Sequence, residues 1–284
     1  MSKIKIVTDT TAFLEEEVLE RYGIKVVPLY VNFTEETIKD GSIDNATYFH
    51  KLMNSPEVPS TSQPSPGDFA KVFARLVEKG NEVVAILISS GISGTVESAR
   101  TAAKMTAPAH ISIVDSLSTS GGLALLVLAA ARAAQEGKSR EEITAMLENL
   151  KSKLKVFFVP ESLKFLKKGG RIGGAQALLG TLLQIKPILY FSGGKIEVFD
   201  RVRTMKKALA RLVHELPTTG EGLELFLLNA ESGENIQRLK DLIRQRLPGL
   251  PLKTYEISPV IATHVGPVAG LTFIKHTQNT VPGV

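Results

Sequence analysis

The sequence predicts an α/β protein in two parts. Residues 1–152 should form an N-terminal, mostly parallel α/β/α sheet, and residues 153–284 a C-terminal α+β domain with a mixed or antiparallel sheet. Three observations predict it. Apolar runs of strand type alternate with helical patterns over residues 1–150, as in a parallel sheet covered on both faces. Beyond Lys155 the texture changes, and two strand-like runs flank a glycine turn where strand and helix had alternated. The chain has 284 residues, 43% of them apolar, which is enough for one large or two medium domains with filled cores.

In order, Lys3 to Thr8 alternates as a first strand and runs into Thr8-Asp9-Thr10-Thr11. Asp9 reads as the cap of a helix starting near Ala12, with a metal ligand or a base as the alternative. The helical Glu15–Tyr22 stops at Gly23, and Ile24 to Phe33 reads as one second strand. Glu35 to Gly41 looks like a turn or hairpin and Tyr48 to Met53 like a short helix. Prolines 59, 64 and 66 make Val58 to Asp68 an extended loop carrying the hydroxyls of Ser60, Thr61, Ser62 and Ser65. A stiff polar loop inside a compact domain more often lines a site than links two domains. Phe69 to Lys79 then fits a helix capped by Ser65 or Asp68.

The stretch from Ile86 to Arg100 is the most informative. The apolar run Val83 to Ile88 ends in Ser89-Ser90-Gly91-Ile92-Ser93-Gly94-Thr95, and a helix takes over near Val96. Hydroxyls and backbone N–H groups gathered before a helix N-terminus favour an anion such as a carboxylate or phosphate. The competing reading is a strand–loop–helix joint whose serines only cap. His110 to Asp115 is a further strand, followed by Ser116 to Ser120 and the apolar helix Leu123–Ala134, which ends at Gly137. In parallel sheets, ligands bind outside the carboxyl ends of the strands. Thr8-Asp9, Ser89–Thr95 and Asp115–Ser118 should all gather there, which favours the anion site.

Ser139 caps a helix to about Leu150, and Lys155 to Val159 is the first strand of the second part. Leu163 to Lys168 is helical and leads into Gly169-Gly170-Arg171-Ile172-Gly173-Gly174, where Arg171 is the candidate anion contact. Ile185 to Phe191 and Lys195 to Phe199 read as a hairpin about Ser192-Gly193-Gly194. A basic helix from Thr204 to Leu216 follows Arg201 and Arg203, then strands at Leu223 to Leu228 and Leu252 to Ile257 flank a helix near 235–247. His264 falls in a loop before the last strand.

Composition narrows the function. With no cysteine there is no disulfide framework, thiolate nucleophile or thiolate metal site, and an intracellular, cytoplasmic protein is expected. The start shows no signal-peptide organisation, and the apolar helix is too short to cross a bilayer before Arg132. Residues 1–60 hold 10 acidic and 6 basic side chains, whereas residues 151–212 hold 14 basic and 3 acidic ones. Such a basic segment suits an anionic ligand or an acidic partner. With no Trp, 5 Tyr and no recognisable nucleic-acid motif, nucleic acid is not expected as a partner. The histidines show no metal-site spacing, so no metal is expected. No Walker-type phosphate loop is present, so ATP binding by this chain alone is not expected either.

Along essentially its whole length the chain resembles the DegV family. The matching motifs are Thr8-Asp9-Thr10-Thr11-Ala12, Thr61-Ser62-Gln63-Pro64-Ser65, Ser89 to Thr95, Lys168-Gly169-Gly170-Arg171-Ile172, Ile185-Lys186-Pro187-Ile188, Val202-Arg203-Thr204 and His264-Val265-Gly266-Pro267. The resemblance implies two α/β domains with a long-chain fatty acid buried between them. It also implies the role of fatty-acid carrier to a bacterial fatty acid kinase, whose separate ATP-binding subunit makes the acyl phosphate for phospholipid synthesis. No cofactor beyond the bound acid is implied, and a transient membrane-surface contact fits the role. By residue match, Thr61 and Ser93 hold the carboxylate, with Ser62, Gly94, Thr95 and His264 around it. Arg171, Arg203 and His264 serve phosphoryl transfer or kinase docking. One departure is Val268, where a small residue is usual after the proline. Physically, about fifteen methylenes at about 0.8 kcal/mol each contribute on the order of 12 kcal/mol when fully buried.

Two rivals remain. Gly91-Ile92-Ser93-Gly94-Thr95 nearly spells a nucleophile elbow, with Asp115 or Asp200 and His264 following in hydrolase order, although its fifth residue is Thr. That reading makes the protein a Ser93/His264 esterase. The other rival is a lipid- or anion-binding protein with no kinase partner.

Overall fold

Strand after strand in the first part is apolar on both faces, and the fold covers both. The computed structural model describes residues 3–179 and 185–276. Its first part runs β1 (Ile4–Asp9), α1 (Glu16–Tyr22), β2 (Lys25–Val27), β3 (Tyr30–Asn32), β4 (Thr37–Lys39), α2 (Asn45–Asn54) and β5 (Ser60–Ser62). It continues with α3 (Pro66–Val77), β6 (Glu82–Leu87), α4 (Thr95–Thr106), β7 (Ile111–Asp115), α5 (Ser120–Gln135) and α6 (Arg140–Lys153). β2, β1, β6 and β7 form a parallel sheet in that order. Alternation sorts β6 between two cores. Val83, Ala85 and Leu87 face Phe69, Phe73 and Val96 of α3 and α4, while Val84 and Ile86 face α5 and α6.

The second part holds β8 (Lys155–Pro160), α7 (Lys164–Lys168), β9 (Lys186–Ser192), β10 (Lys195–Val202), α8 (Met205–His214), β11 (Leu223–Ala230), α9 (Gly233–Arg246), β12 (Lys253–Glu256), α10 (Pro259–Val265) and β13 (Val268–Lys275). Its six-stranded sheet has the order β10-β9-β8-β13-β11-β12, antiparallel except for the parallel pair β11 and β12. Period two again divides the faces. Phe157, Val159 and Leu227 pack under α8 and α9. Val156, Phe158 and Leu228 face the first part, in a core shared with Ile88, Leu29 and α10. Helix α5 lies between the two sheets, which explains its apolar surroundings on all sides. Among the described residues no helix is long and apolar enough to cross a membrane.

Four sequence readings need correction. The run from Ile24 to Phe33 is two strands, because Pro28 cannot donate to a ladder; β2 stays in the parallel sheet and β3 joins β4 and β5 in a small antiparallel one. Pro66 starts α3 rather than forbidding it. It occupies the first turn, where no N–H bond is needed, and Ser65 with Asp68 makes a capping box. Asp9 caps only a single 3-10 turn at Thr10–Ala12, and its other oxygen accepts from the backbone N–H of Ile88 at 2.7 Å. Finally, His264 lies in the last turn of α10, not in a loop, since Ser258 caps that helix and Pro259 opens it.

Candidate functional site

Between the facing sheets lies a cavity of about 370 Å³. Its shaft is apolar, walled by Ile88, Val156, Phe158, Leu228, Ile257 and Val260, and at other points polar side chains reach it: Thr61, Gln63, Ser93, Arg171 and His264. Val268, the departure from the family pattern, is the first residue of β13 and belongs to the same wall.

Strand alternation aims Thr61. It is the middle residue of β5, half-buried between the exposed Ser60 and Ser62, and its Oγ1 lies 2.7 Å from Nε2 of His264. Ser62 also borders the cavity, and its hydroxyl accepts from Asn32 Nδ2 at 3.3 Å. α10 is held in place from the first part of the chain. Tyr48 Oη is 2.5 Å from Thr263 Oγ1, Asn45 Nδ2 donates to the Ile257 carbonyl at 3.1 Å, and Asp40 accepts from the N–H of Val260 at 3.1 Å. The other ring nitrogen of His264, Nδ1, is buried without a partner and lies against Gly169, where a Cβ would strike it. Burial pushes the imidazole pKa down to about 4, and the charge of Arg171 adds to the effect. The ring is therefore neutral at neutral pH, and the cation at this end of the cavity is Arg171.

That guanidinium is fixed by two backbone carbonyls: Nε donates to Ile92 O at 3.1 Å and Nη1 to Gly169 O at 2.7 Å. Arg171 also faces a neighbouring recess of about 350 Å³, which shares Ile92, Ser93 and Ile196 with the cavity and adds Lys195 and glycines 91, 94, 170 and 173. Gly173 sits at φ 50° against the carbonyl of Ile196, leaving no room for a side chain.

The four hydroxyls of the serine-rich turn have different places. Ser89 is buried and donates to Gly194 O at 2.7 Å, tying the turn to the β9–β10 hairpin. Ser90 donates to Asp115 at 2.5 Å. Ser93 borders both the cavity and the recess, and Thr95, fully buried, stands behind it at 2.9 Å between the hydroxyl oxygens. Gly94 caps α4 in contact with the amide of Gln63, which in turn donates to Ser98 Oγ at 3.0 Å.

The structure thus brings Thr61, Ser62, Ser93, Arg171 and His264 to one cavity, and Gly94 and Thr95 directly behind it. Arg203 is not among its walls; it is exposed between β10 and α8. The esterase arrangement is not assembled. His264 pairs with Thr61 rather than Ser93, Asp115 pairs with Ser90, and Asp200 pairs with Arg211 at 3.0 Å. Asp9 is fully buried with both oxygens engaged by Thr11 and Ile88, so it serves neither as base nor as metal ligand. Sequence reasoning gave Gln63, Thr119 and Ser120 no role in the site, although all three line the cavity. Gln63 follows directly on β5, and the hydroxyl pair ends the turn beyond β7, where only Asp115–Ser118 drew notice.

Known proteins share this fold. A family model described as "Uncharacterised protein, DegV family" matches residues 3–276. A DegV domain-containing protein of Clostridium acetobutylicum is 38% identical over 275 residues, which cover 94% of this chain and 95% of the relative. Among solved structures, a fatty-acid-binding DegV family protein from Thermus thermophilus superposes with a TM-score of 0.88 at 36% identity, over 96% of this chain and 100% of its own. A stearic-acid-binding protein from Eubacterium ventriosum superposes with a TM-score of 0.81 at 28% identity, over 97% and 98% of the two chains.

Proposed function

The chain belongs to the DegV family, and from that premise we propose that it binds a long-chain fatty acid in the cavity between its sheets. One observation carries the reading: an apolar shaft that also takes in the hydroxyls of Thr61 and Ser93 and the fixed guanidinium of Arg171. An acyl chain in the shaft gains from every methylene removed from water. Its carboxylate loses hydration on entry and needs donors in exchange, which these three side chains supply.

We propose further that the protein presents that carboxylate to a separate ATP-dependent kinase subunit, which converts it to an acyl phosphate. Hydroxyl donors suit an oxygen that must later accept a phosphoryl group, whereas a tight bidentate ion pair would hold it back. Arg171 and Lys195 line the recess beside Ser93 and would offset the charge that builds up on a transferred phosphoryl group. Exposed Arg203, in the basic segment of residues 151–212, suits contact with the partner.

The test is native mass spectrometry of freshly purified protein, followed by lipid extraction. An added mass that resolves into free fatty acids of long chain length supports the reading. An apo mass with no uptake of supplied stearate or oleate overturns it. For the kinase step, Arg203→Ala should keep the bound acid yet lower acyl-phosphate formation with a bacterial fatty acid kinase subunit, and an unchanged rate would remove Arg203 from that role.

A further inference from the structure

The sheet face that walls the cavity also walls a second, apolar recess one step along the same strands. On β11, Leu228 lines the cavity and Phe226, two residues back, lines the recess. At the end of β12, Ile257 lines the cavity and Tyr255, again two residues back, lines the recess. Period two puts each pair on one face, and all four pack in the core shared by the two parts. Tyr255 and Leu228 are partners in the ladder, and the rings of Tyr255 and Phe226 stack with centroids 5.0 Å apart. The recess holds about 300 Å³; Phe13, Leu14, Val18 and Leu128 line its other side, and Glu15 pairs with Lys253 at its rim at 3.0 Å. A Cβ on Gly121 would lie 2.7 Å from Leu228 and 3.6 Å from Phe226, so the start of α5 presses on this stretch. The two rings stand at the end of the cavity away from the head group. Helix α10 opens just beyond Ile257 and carries His264 in its last turn, about 10 Å of axial rise further on.

We propose that the stacked pair Phe226 and Tyr255 closes the far end of the fatty-acid cavity, and that its bulk sets the longest acyl chain the protein accepts. This rests on the fatty-acid reading of the cavity. A chain gains about tenfold in affinity for every two methylenes that leave water, so long as the cavity has room for them. An acid whose methyl end reaches the rings must fold back or displace them, and the gain stops there. Smaller side chains at these two positions would join cavity and recess, whose apolar walls then take the extra methylenes. Tyr255 suits such a change, because its buried hydroxyl has no hydrogen-bond partner to lose.

The experiment is a competition titration of delipidated protein, in which saturated acids of even length from myristate to behenate displace a fluorescent fatty acid. In the parent protein, affinity should climb with length, reach a maximum and fall at the next longer acid. Tyr255→Leu and Phe226→Leu should each bind that excluded acid about tenfold more tightly and move the maximum at least one acid up the series. Adding Leu128→Phe, which fills the recess from α5, should return the maximum to the parent's. A maximum that stays put in either variant, while that variant still binds the parent's best acid, overturns the proposal and leaves the fatty-acid reading standing. So does an affinity that keeps climbing to behenate in the parent protein. A maximum that moves and ignores Leu128→Phe also overturns it, since the chain then uses space other than the recess. If no saturated acid binds the parent protein, both readings fall.

Discussion

Thr61 and His264 share one contact, and each depends on it. The imidazole is neutral, so Nε2 and the hydroxyl of Thr61 exchange a single proton donor, and which one donates depends on the tautomer. When Nε2 donates, the Thr61 hydroxyl is free to turn its own proton toward a carboxylate. Thr61→Val and Ser93→Ala should each weaken stearate binding roughly tenfold to a hundredfold, the range for a lost hydrogen bond to a charged group. The loss should be specific to the acid, so each variant should bind the methyl ester of stearate as the parent protein does. Displacement of a fluorescent fatty acid measures both, and an equal loss for acid and ester would remove the two hydroxyls from the head-group site. The hydroxyl-rich stretches drew attention to these two in the sequence, and the family resemblance gave them their role. The pairing of Thr61 with His264 was not legible there, because it joins residues 203 positions apart through the seating of α10 on the small sheet.

The turn between α7 and residue 173 shows how an element positions a neighbour. Gly169 has ordinary right-handed backbone, φ −76°, so alanine suits its conformation; only the imidazole of His264 stands in the way. Gly170 is the reverse case, with φ 68° and open space around it. Gly169→Ala should therefore push the His264 ring out of place and weaken fatty-acid binding, at a stability loss of about 1–3 kcal/mol for the added methyl group. Gly170→Ala should lower stability by about 1–2 kcal/mol through backbone strain, with the smaller effect on binding. Denaturant unfolding and stearate titration of both variants separate the two cases; a larger binding loss in Gly170→Ala would contradict the assignment. The glycines were legible as a close-approach turn, but what approached them was not. Element types were legible wherever period and caps agreed, as in α3, α6 and the β9–β10 hairpin. They failed at Pro28, which splits a continuous apolar run between two sheets, and at residues 259–265, where a helix of seven residues is shorter than the periodicity needed to recognise it.

At the scale of the molecule, two buried carboxyls fasten the cavity's walls. Asp9, at the end of β1, accepts from Ile88 at the edge of the shaft, and Asp40, just after β4, accepts from Val260 in α10. Burial pushes both up to about 6 from 3.8, and for Asp40 the neighbouring Asp9 adds to the rise. Since the folded pKa exceeds the unfolded one, the folded state binds more protons between these values. Each carboxyl's contribution to stability is fully present below about pH 3.8 and is lost as pH rises through about 6. His264 acts the other way: its folded pKa is depressed, so stability falls as pH drops from 6.5 toward about 4. A shift of about two units corresponds to about 3 kcal/mol for each acid. Asp40→Asn keeps an acceptor for Val260 but cannot ionise, so it removes one of these dependences and leaves the others in place. Its stability relative to the parent protein should therefore rise by up to about 3 kcal/mol between pH 4 and pH 7, most steeply near pH 5, midway between the two values. Urea unfolding at intervals across that range reads the difference directly. A constant difference would mean that Asp40 titrates alike in the folded and unfolded chains, and the clasp between β4 and α10 would then not depend on its proton.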